Sequence, residues 1–172
     1  MNSQQRRDAI LKLIQQGDAV ISASALAKQF HVSRQLIVGD IALLRAQGCH
    51  IIATPRGYLY EQRDNDQTVK TIAVCHRSEE LSDEIYTIVD LGGALLDVIV
   101  EHPLYGELRG SLHIYSRYDA DQFFNKLADK KAVPLSSLTD GIHLHTIRVH
   151  DEVCYERILD ALRDKGYLYE KG

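Results

Sequence analysis

The chain has 172 residues, 45% of them hydrophobic, with 24 acids against 20 Lys and Arg for a net charge of −4. That length allows one small and one medium core, while no run is apolar for long enough to span a bilayer and no apolar leader opens the chain, so the sequence predicts a cytoplasmic protein with no membrane partner. Three cysteines (Cys49, Cys75 and Cys154), odd in number and without a C-x-x-C spacing, argue against a disulfide framework and a cysteine-based zinc site.

Residues 6–16, with Ile10, Leu13 and Ile14 at helical spacing, predict a first helix stopped by Gly17. Ser22 can cap a second helix that carries Ala23, Leu26, Ala27 and Phe30 on its apolar side. After the turn His31-Val32-Ser33, Ser33 caps a third helix whose Ile37, Ile41 and Leu44 make one buried stripe, and Gly48 ends it. The other face begins with Ser33, Arg34, Gln35 and Val38, groups able to meet phosphates and base edges if the helix end enters a major groove. Strand-like runs at 50–53 and 57–60 flank the turn Thr54-Pro55-Arg56-Gly57, which puts Arg56 at a hairpin tip, suited to a phosphate or minor-groove contact. Residues 1–62 therefore predict a winged helix-turn-helix DNA-binding domain; a winged fold that binds only protein is the alternative.

Charge follows the same division. Residues 1–62 hold seven Lys or Arg against four acids, and residues 63–172 hold thirteen against twenty. So small a positive excess predicts weak DNA binding by one head, hence a homodimer on a palindromic operator in double-stranded DNA.

The polar run 63–67 predicts a linker to a second domain over 68–172. Strands are expected at 71–76, 95–102, 108–115 and 142–149, with helices at 79–91, from an Asp119 cap to 130, and from an Asp151 cap to 165. The order β-α-β-β-α-β-α predicts an α+β layer with a mixed or antiparallel sheet, helices on one face and the other face open to a pocket or a dimer contact.

Six of the eight histidines lie in this second domain. His143 and His145, two apart in a strand, share one sheet face and could grip one metal. His76 ends the first strand of the domain, and Glu84, about two turns into the following helix, could turn back toward it. Three imidazoles and a carboxylate suit Zn²⁺, Ni²⁺ or Fe²⁺ with positions left for a ligand. On residues alone, two exposed or hydrogen-bonded histidines remain the competing reading. In His102-Pro103-Leu104-Tyr105-Gly106 a tight loop presents either an imidazole and a phenol to a pocket or a solvated connection. Arg77 and Arg109 could clamp a carboxylate or stand as surface charges.

These residues resemble the niacin-responsive transcriptional repressors, in which a winged helix-turn-helix precedes a regulatory domain named for three histidine motifs. The resemblance rests on Val32-Ser33-Arg34-Gln35, Asp40-Ile41-Ala42-Leu43-Leu44-Arg45 and Ala53-Thr54-Pro55-Arg56-Gly57-Tyr58 in the head. In the body it rests on His76, His102-Pro103-Leu104-Tyr105-Gly106 and His143-Leu144-His145-Thr146. Head motifs are shared with other winged regulators, including biotin-type repressors; the body set is more specific. The resemblance implies a repressor of niacin uptake, salvage and NAD synthesis genes, with nicotinic acid as co-repressor. It also implies a regulatory domain that dimerises, a sheet similar to that of the histidine phosphocarrier, and one divalent metal per chain held by His76, Glu84, His143 and His145. Gly39 departs from the family, whose members tend to carry a polar residue there.

In the expected mechanism, nicotinate meets the metal at one end and His102, Tyr105, Arg77 or Arg109 at the other, favouring one spacing of two heads. Two other classes are set beside it. A metal-dependent hydrolase could use hydroxide made at such a centre, though no dedicated base or nucleophile motif is present. A phosphohistidine-type regulatory domain would accept phosphate on an imidazole.

Overall fold

In the computed structural model, which describes residues 1–61 and 68–170, the first helix starts a turn earlier than its apolar stripe suggests. Asn2 caps α1 (Ser3–Gln16): its side-chain oxygen accepts from the Gln5 N–H at 2.9 Å while Gln5 Oε1 accepts from the Asn2 N–H at 3.0 Å. Ser22 caps α2 (Ala23–Phe30) by accepting from the Ala25 N–H at 3.0 Å, and Ser33 caps α3 (Arg34–Ala46) by accepting from the Leu36 N–H at 3.2 Å. Ile10, Ile14, Leu26, Ile37, Ile41 and Leu44 close a three-helix core.

Strands β1 (Ile51–Thr54) and β2 (Gly57–Tyr60) pair antiparallel as the wing. Thr54 Oγ1 accepts from the Arg56 and Gly57 N–H groups, both at 3.2 Å, and tightens the turn. Gly57 is required there, because at φ +147° a Cβ would sit 2.4 Å from the Ile21 carbonyl oxygen, where Ile21 bridges to Tyr58 and ties the wing to the helices.

The chain parts into two compact units, Met1–Arg63 and Asp64–Gly172, each with its own apolar core. The expected linker at 63–67 lies outside the described residues.

The second unit runs β3 (Thr68–Cys75), a 3-10 turn (Ser78–Glu80), α4 (Leu81–Asp90), β4 (Ala94–His102) and β5 (Gly106–Ile114). It continues with α5 (Arg117–Asp129), a second 3-10 turn (Leu135–Thr139), β6 (Ile142–Val149) and α6 (Glu152–Asp164). Its four strands pair antiparallel in the order β3-β6-β4-β5. Ile85 and Ile88 of α4, Ala120 of α5, and Ile158 and Leu162 of α6 join Ile72, Val74, Leu95 and Ile147 of the strands in one core. The helices thus cover one face, and the other turns Val69, Thr71 and Ile142 to solvent. This is the α+β layer that the element order predicts.

Two local expectations are corrected. The cap of α5 is Ser116, not Asp119: Ser116 Oγ accepts from the Asp119 N–H at 3.2 Å, and Asp119 Oδ2 reaches back to the Tyr115 N–H at 3.0 Å. The first turn of the expected helix at 79–91 is wound as a 3-10 turn, with the α-helix proper beginning at Leu81.

Candidate functional site

Pairing of β3 with β6 sets His143 opposite Val74 and His145 opposite Ile72. Val74 and Ile72 face the helix-covered core, so both imidazoles do too. Glu84, in the first turn of α4, enters the same space, and His76, just past β3, completes the group. All four side chains are at most 1% exposed.

Glu84 is the hub. His76 Nε2 lies 2.5 Å and His143 Nε2 3.6 Å from its Oε2, and His145 Nε2 lies 3.0 Å from its Oε1. The His143 ring stands edge-on to both His76 and His145, with centroids 4.9 and 4.8 Å away. Ligand atoms of His76, Glu84 and His143 fall within 4.8 Å of one another.

The other ring nitrogens fix the tautomers. His76 Nδ1 donates to the Arg77 carbonyl at 2.8 Å, His143 Nδ1 to the Gly141 carbonyl at 2.8 Å, and His145 Nδ1 to the Asp97 carbonyl at 2.7 Å. A carbonyl oxygen only accepts, so each Nδ1 carries a proton and each ring turns its Nε2 toward the carboxylate, with His76 Nε2 hydrogen-bonded to Glu84 Oε2. Glu84 Oε1, His143 Nε2 and His145 Nε2 are buried with no hydrogen-bond partner. Such buried, unpartnered atoms are satisfied by a cation or by protons on the imidazoles, and backbone anchoring of the remote nitrogens is how metal-binding imidazoles are oriented. The donor set fits a borderline divalent ion.

Without such an ion, protons must do the work. Burial pushes the Glu84 carboxyl up, but the charge of His145 and bonds to all three imidazoles outweigh it and hold the group well below its ordinary range. Burial pushes His76 and His145 down, and the Glu84 carboxylate overrides it to raise both.

Further residues position this cluster. Gly141 has φ +90°, and a Cβ there would come within 2.3 Å of the His76 carbonyl oxygen, so the chain can pass His76 only as glycine. Tyr167 sets its ring 5.5 Å from that of His76 and donates its hydroxyl to Asp83 Oδ2 at 2.8 Å. Burial first, then this bond, pushes the Tyr167 hydroxyl up to about 12. Asp97 uses its carbonyl for His145 and its Oδ1 for the Thr146 N–H at 2.9 Å. Sequence reading missed all three; only Gly141, two residues before His143, stood close enough to the motif to be noticed.

Two clefts reach the cluster. One, of about 560 Å³, touches His143 and is lined by Ile99, Val100, Glu101, Glu107 and Ile142. The other, of about 470 Å³, touches His76 and is lined by Arg77, the acids Glu79, Glu80 and Asp140, and Ser78, Ser136 and Ser137.

The four residues expected around an effector are scattered. Arg77 opens onto the second cleft and pairs with Glu80 at 3.7 Å. Arg109 is held by Asp97 at 2.5 Å and Glu107 at 3.7 Å. His102 Nδ1 accepts the Leu104 and Tyr105 N–H groups at 3.1 and 3.3 Å, shaping a hairpin whose Tyr105 is 71% exposed.

In the first unit Ser33, Arg34 and Gln35 are exposed at the start of α3, and Val38 is half-buried against the core. Arg56, in the wing turn, is half-buried. Behind them Arg6 of α1 grips Asp40 of α3 through Nε at 2.6 Å and Nη2 at 3.3 Å, a pair buried inside the head.

Residues 69–171 match the 3H domain, and residues 6–59 match an HTH domain. Over 169 residues, 98% of this chain and 96% of the relative, the chain is 41% identical to the probable transcription repressor NiaR of Thermotoga maritima. The chain belongs to the NiaR-type transcription repressor family. It is also 38% identical, over 95% of its length and 92% of the relative's, to the transcription repressor NadR of Bacillus subtilis. As a NiaR-type repressor it is a DNA-binding regulator and not an enzyme, which sets the hydrolase reading aside. The 3H match contains the whole buried cluster, and the HTH match contains α2, α3 and the wing turn. Among the described residues no helix is long and apolar enough to cross a membrane.

Proposed function

We propose that this NiaR-type repressor acts in the cytoplasm as a homodimer that grips a palindromic operator in double-stranded DNA. Ser33, Arg34, Gln35 and Val38 read the major groove and Arg56 meets the backbone or minor groove. His76, Glu84, His143 and His145 hold one divalent ion, Zn²⁺, Ni²⁺ or Fe²⁺, and nicotinate is the co-repressor. The observation that carries the metal is the buried carboxylate faced by three Nδ1-anchored imidazoles. When bound, the ion supplies a Lewis-acidic position for a ligand nitrogen or carboxylate. The nicotinate response rests on the resemblance, and the relatives' names NiaR and NadR accord with it.

Nicotinate enters by the cleft at His76, where Arg77 and the hydroxyls of Ser78, Ser136 and Ser137 offer donors to an anion. The cleft at His143 presents Glu101 and Glu107 with no cation in its lining, whereas the cleft at His76 sets Arg77 beside its acids Glu79, Glu80 and Asp140. Of the four expected effector residues this assignment retains Arg77 and gives His102, Tyr105 and Arg109 local structural work. Binding shifts the dimer toward a DNA-competent spacing of heads, with a coupling of about 1–3 kcal/mol, or roughly 5–150-fold.

The test is to select duplexes from a random pool with the full chain, then run gel shifts on the selected sequence with and without nicotinate and Zn²⁺. Two-fold symmetric sites whose affinity rises with nicotinate are expected. Unchanged affinity at saturating nicotinate and metal would defeat the effector assignment.

A further inference from the structure

We propose that a cleft at the end of the regulatory sheet remote from the histidine cluster binds a phosphorylated small molecule of mononucleotide size. The argument begins with the arginines of this acidic unit. Arg109 holds Asp97 and Arg117 holds Asp90, each at 2.5 Å; Arg163 holds Glu170 at 2.8 Å, and Arg77 reaches Glu80 at 3.7 Å. Among the described residues Arg148 and Arg157 are the two arginines of the unit with no carboxylate in ion-pair range. They come from different elements, β6 and α6, yet line one cleft of about 580 Å³ together with His150 and Tyr115.

With acids outnumbering cations twenty to thirteen over residues 63–172, two arginines without a carboxylate partner that line one concavity call for an anion from outside the chain. The acid in the cleft, Asp151, is committed to the backbone: its Oδ1 accepts from the Cys154 N–H at 2.8 Å as the cap of α6. A monocarboxylate would balance one guanidinium, whereas a phosphate dianion balances both and offers each two oxygens for a bidentate contact. His150 adds an imidazole, and the Tyr115 ring, 40% exposed, is a flat wall for a ring attached to the phosphate. The volume lies within the range of small-molecule sites. This cleft shares no lining residue with either cleft at the histidine cluster, so the two sites are separate. The site is a second input, and it stands whether or not nicotinate is the effector at the first.

Calorimetry and thermal melts of the full chain at fixed ionic strength test it, with adenosine 5′-monophosphate, adenosine and inorganic phosphate as probes. The monophosphate should bind one per chain, raise the melting temperature and bind more tightly than phosphate, while adenosine gives no response. Arg157→Gln and Arg148→Gln should each weaken binding about tenfold or more. The unliganded Arg157→Gln variant should melt no lower than wild type, since it removes an exposed cation that lacks a carboxylate partner. Arg157 is exposed on α6, so its variant folds even if replacement of the half-buried Arg148 disturbs the strand. Binding should survive a chelator. No response to the monophosphate, an equal response from Arg157→Gln, an adenosine or phosphate response matching the monophosphate, or loss of binding with chelator would each overturn the proposal.

Discussion

His145 and Glu84 face each other at 3.0 Å across a buried space, and His145 spends its Nδ1–H on the Asp97 carbonyl so that its Nε2 alone meets the carboxylate. The same anchoring recurs at His143, and it is the geometry on which the proposed cation site rests. The consequences concern the backbone as much as the ligands.

Gly141→Ala tests that backbone dependence. A Cβ would collide with the His76 carbonyl oxygen and would have to sit at φ +90°. The expected cost is about 1–3 kcal/mol of stability in the regulatory unit. Displacing both His76 and the carbonyl that orients His143 should also weaken metal binding about 10–100-fold. Denaturant melts and a competitive chelator titration measure the two; a variant that keeps both values would remove Gly141 from the positioning of the site.

The pH response should change sign with metal. In the metal-free chain the raised His76 and His145 contribute stability that is full below about pH 6.5 and lost as pH rises through their folded-state values. The lowered Glu84 contributes stability present above about pH 4.3 and lost as pH falls through its folded-state value. Above about pH 6.5 the chelated protein should therefore melt at falling temperature. The gain on adding Zn²⁺ should grow over the same range, since metal competes with protons for Nε2. Melting curves with and without chelator check both slopes, and a chelated protein that stabilises as pH rises would contradict them.

Gly39 separates stability from recognition. It lies in the middle of α3, exposed, and a Cβ added there would meet nothing within 4 Å, so alanine fits without strain. Gly39→Ala should stabilise the head by up to about 1 kcal/mol. If α3 lies in the major groove, the added methyl should leave affinity unchanged or reduce it, whereas Gln35→Ala should cost about 1–3 kcal/mol and relax the sequence preference. Melts and gel shifts on a selected duplex distinguish the effects; a destabilised alanine variant would refute the packing argument.

Arg6 and Asp40 form the buried tie between α1 and α3. Asp40→Ala leaves a buried guanidinium unpaired and should lower the melting temperature of the head, while the double variant Arg6→Met with Asp40→Leu should recover most of the loss. A single variant as stable as wild type would show the pair to be dispensable.

What was legible in the sequence was mostly local. Ser22 and Ser33 cap helices through atoms three residues away, and the parity of His143 and His145 follows from strand geometry alone. Glu84 could be suggested from its place two turns into a helix, but only the fold turns it inward. The α5 cap was misassigned because Ser116 and Asp119 are both good capping residues and act together, one at each end of the same turn. Arg109 reads as a free cation until the hairpin sets Asp97, twelve residues earlier, beside it. The Arg6 to Asp40 tie spans thirty-four positions and leaves no periodic mark. Carbonyl anchors such as those of Asp97 and Gly141 carry no side-chain signature at all.

The most direct measurement is elemental analysis of the purified chain coupled to a metal titration of its chelated form. About one Zn²⁺, Ni²⁺ or Fe²⁺ per chain is expected, with retention lost in Glu84→Gln and His143→Ala variants that still melt cooperatively. A cooperatively folded wild-type chain that retains no divalent ion and binds none on titration would contradict the account at its centre.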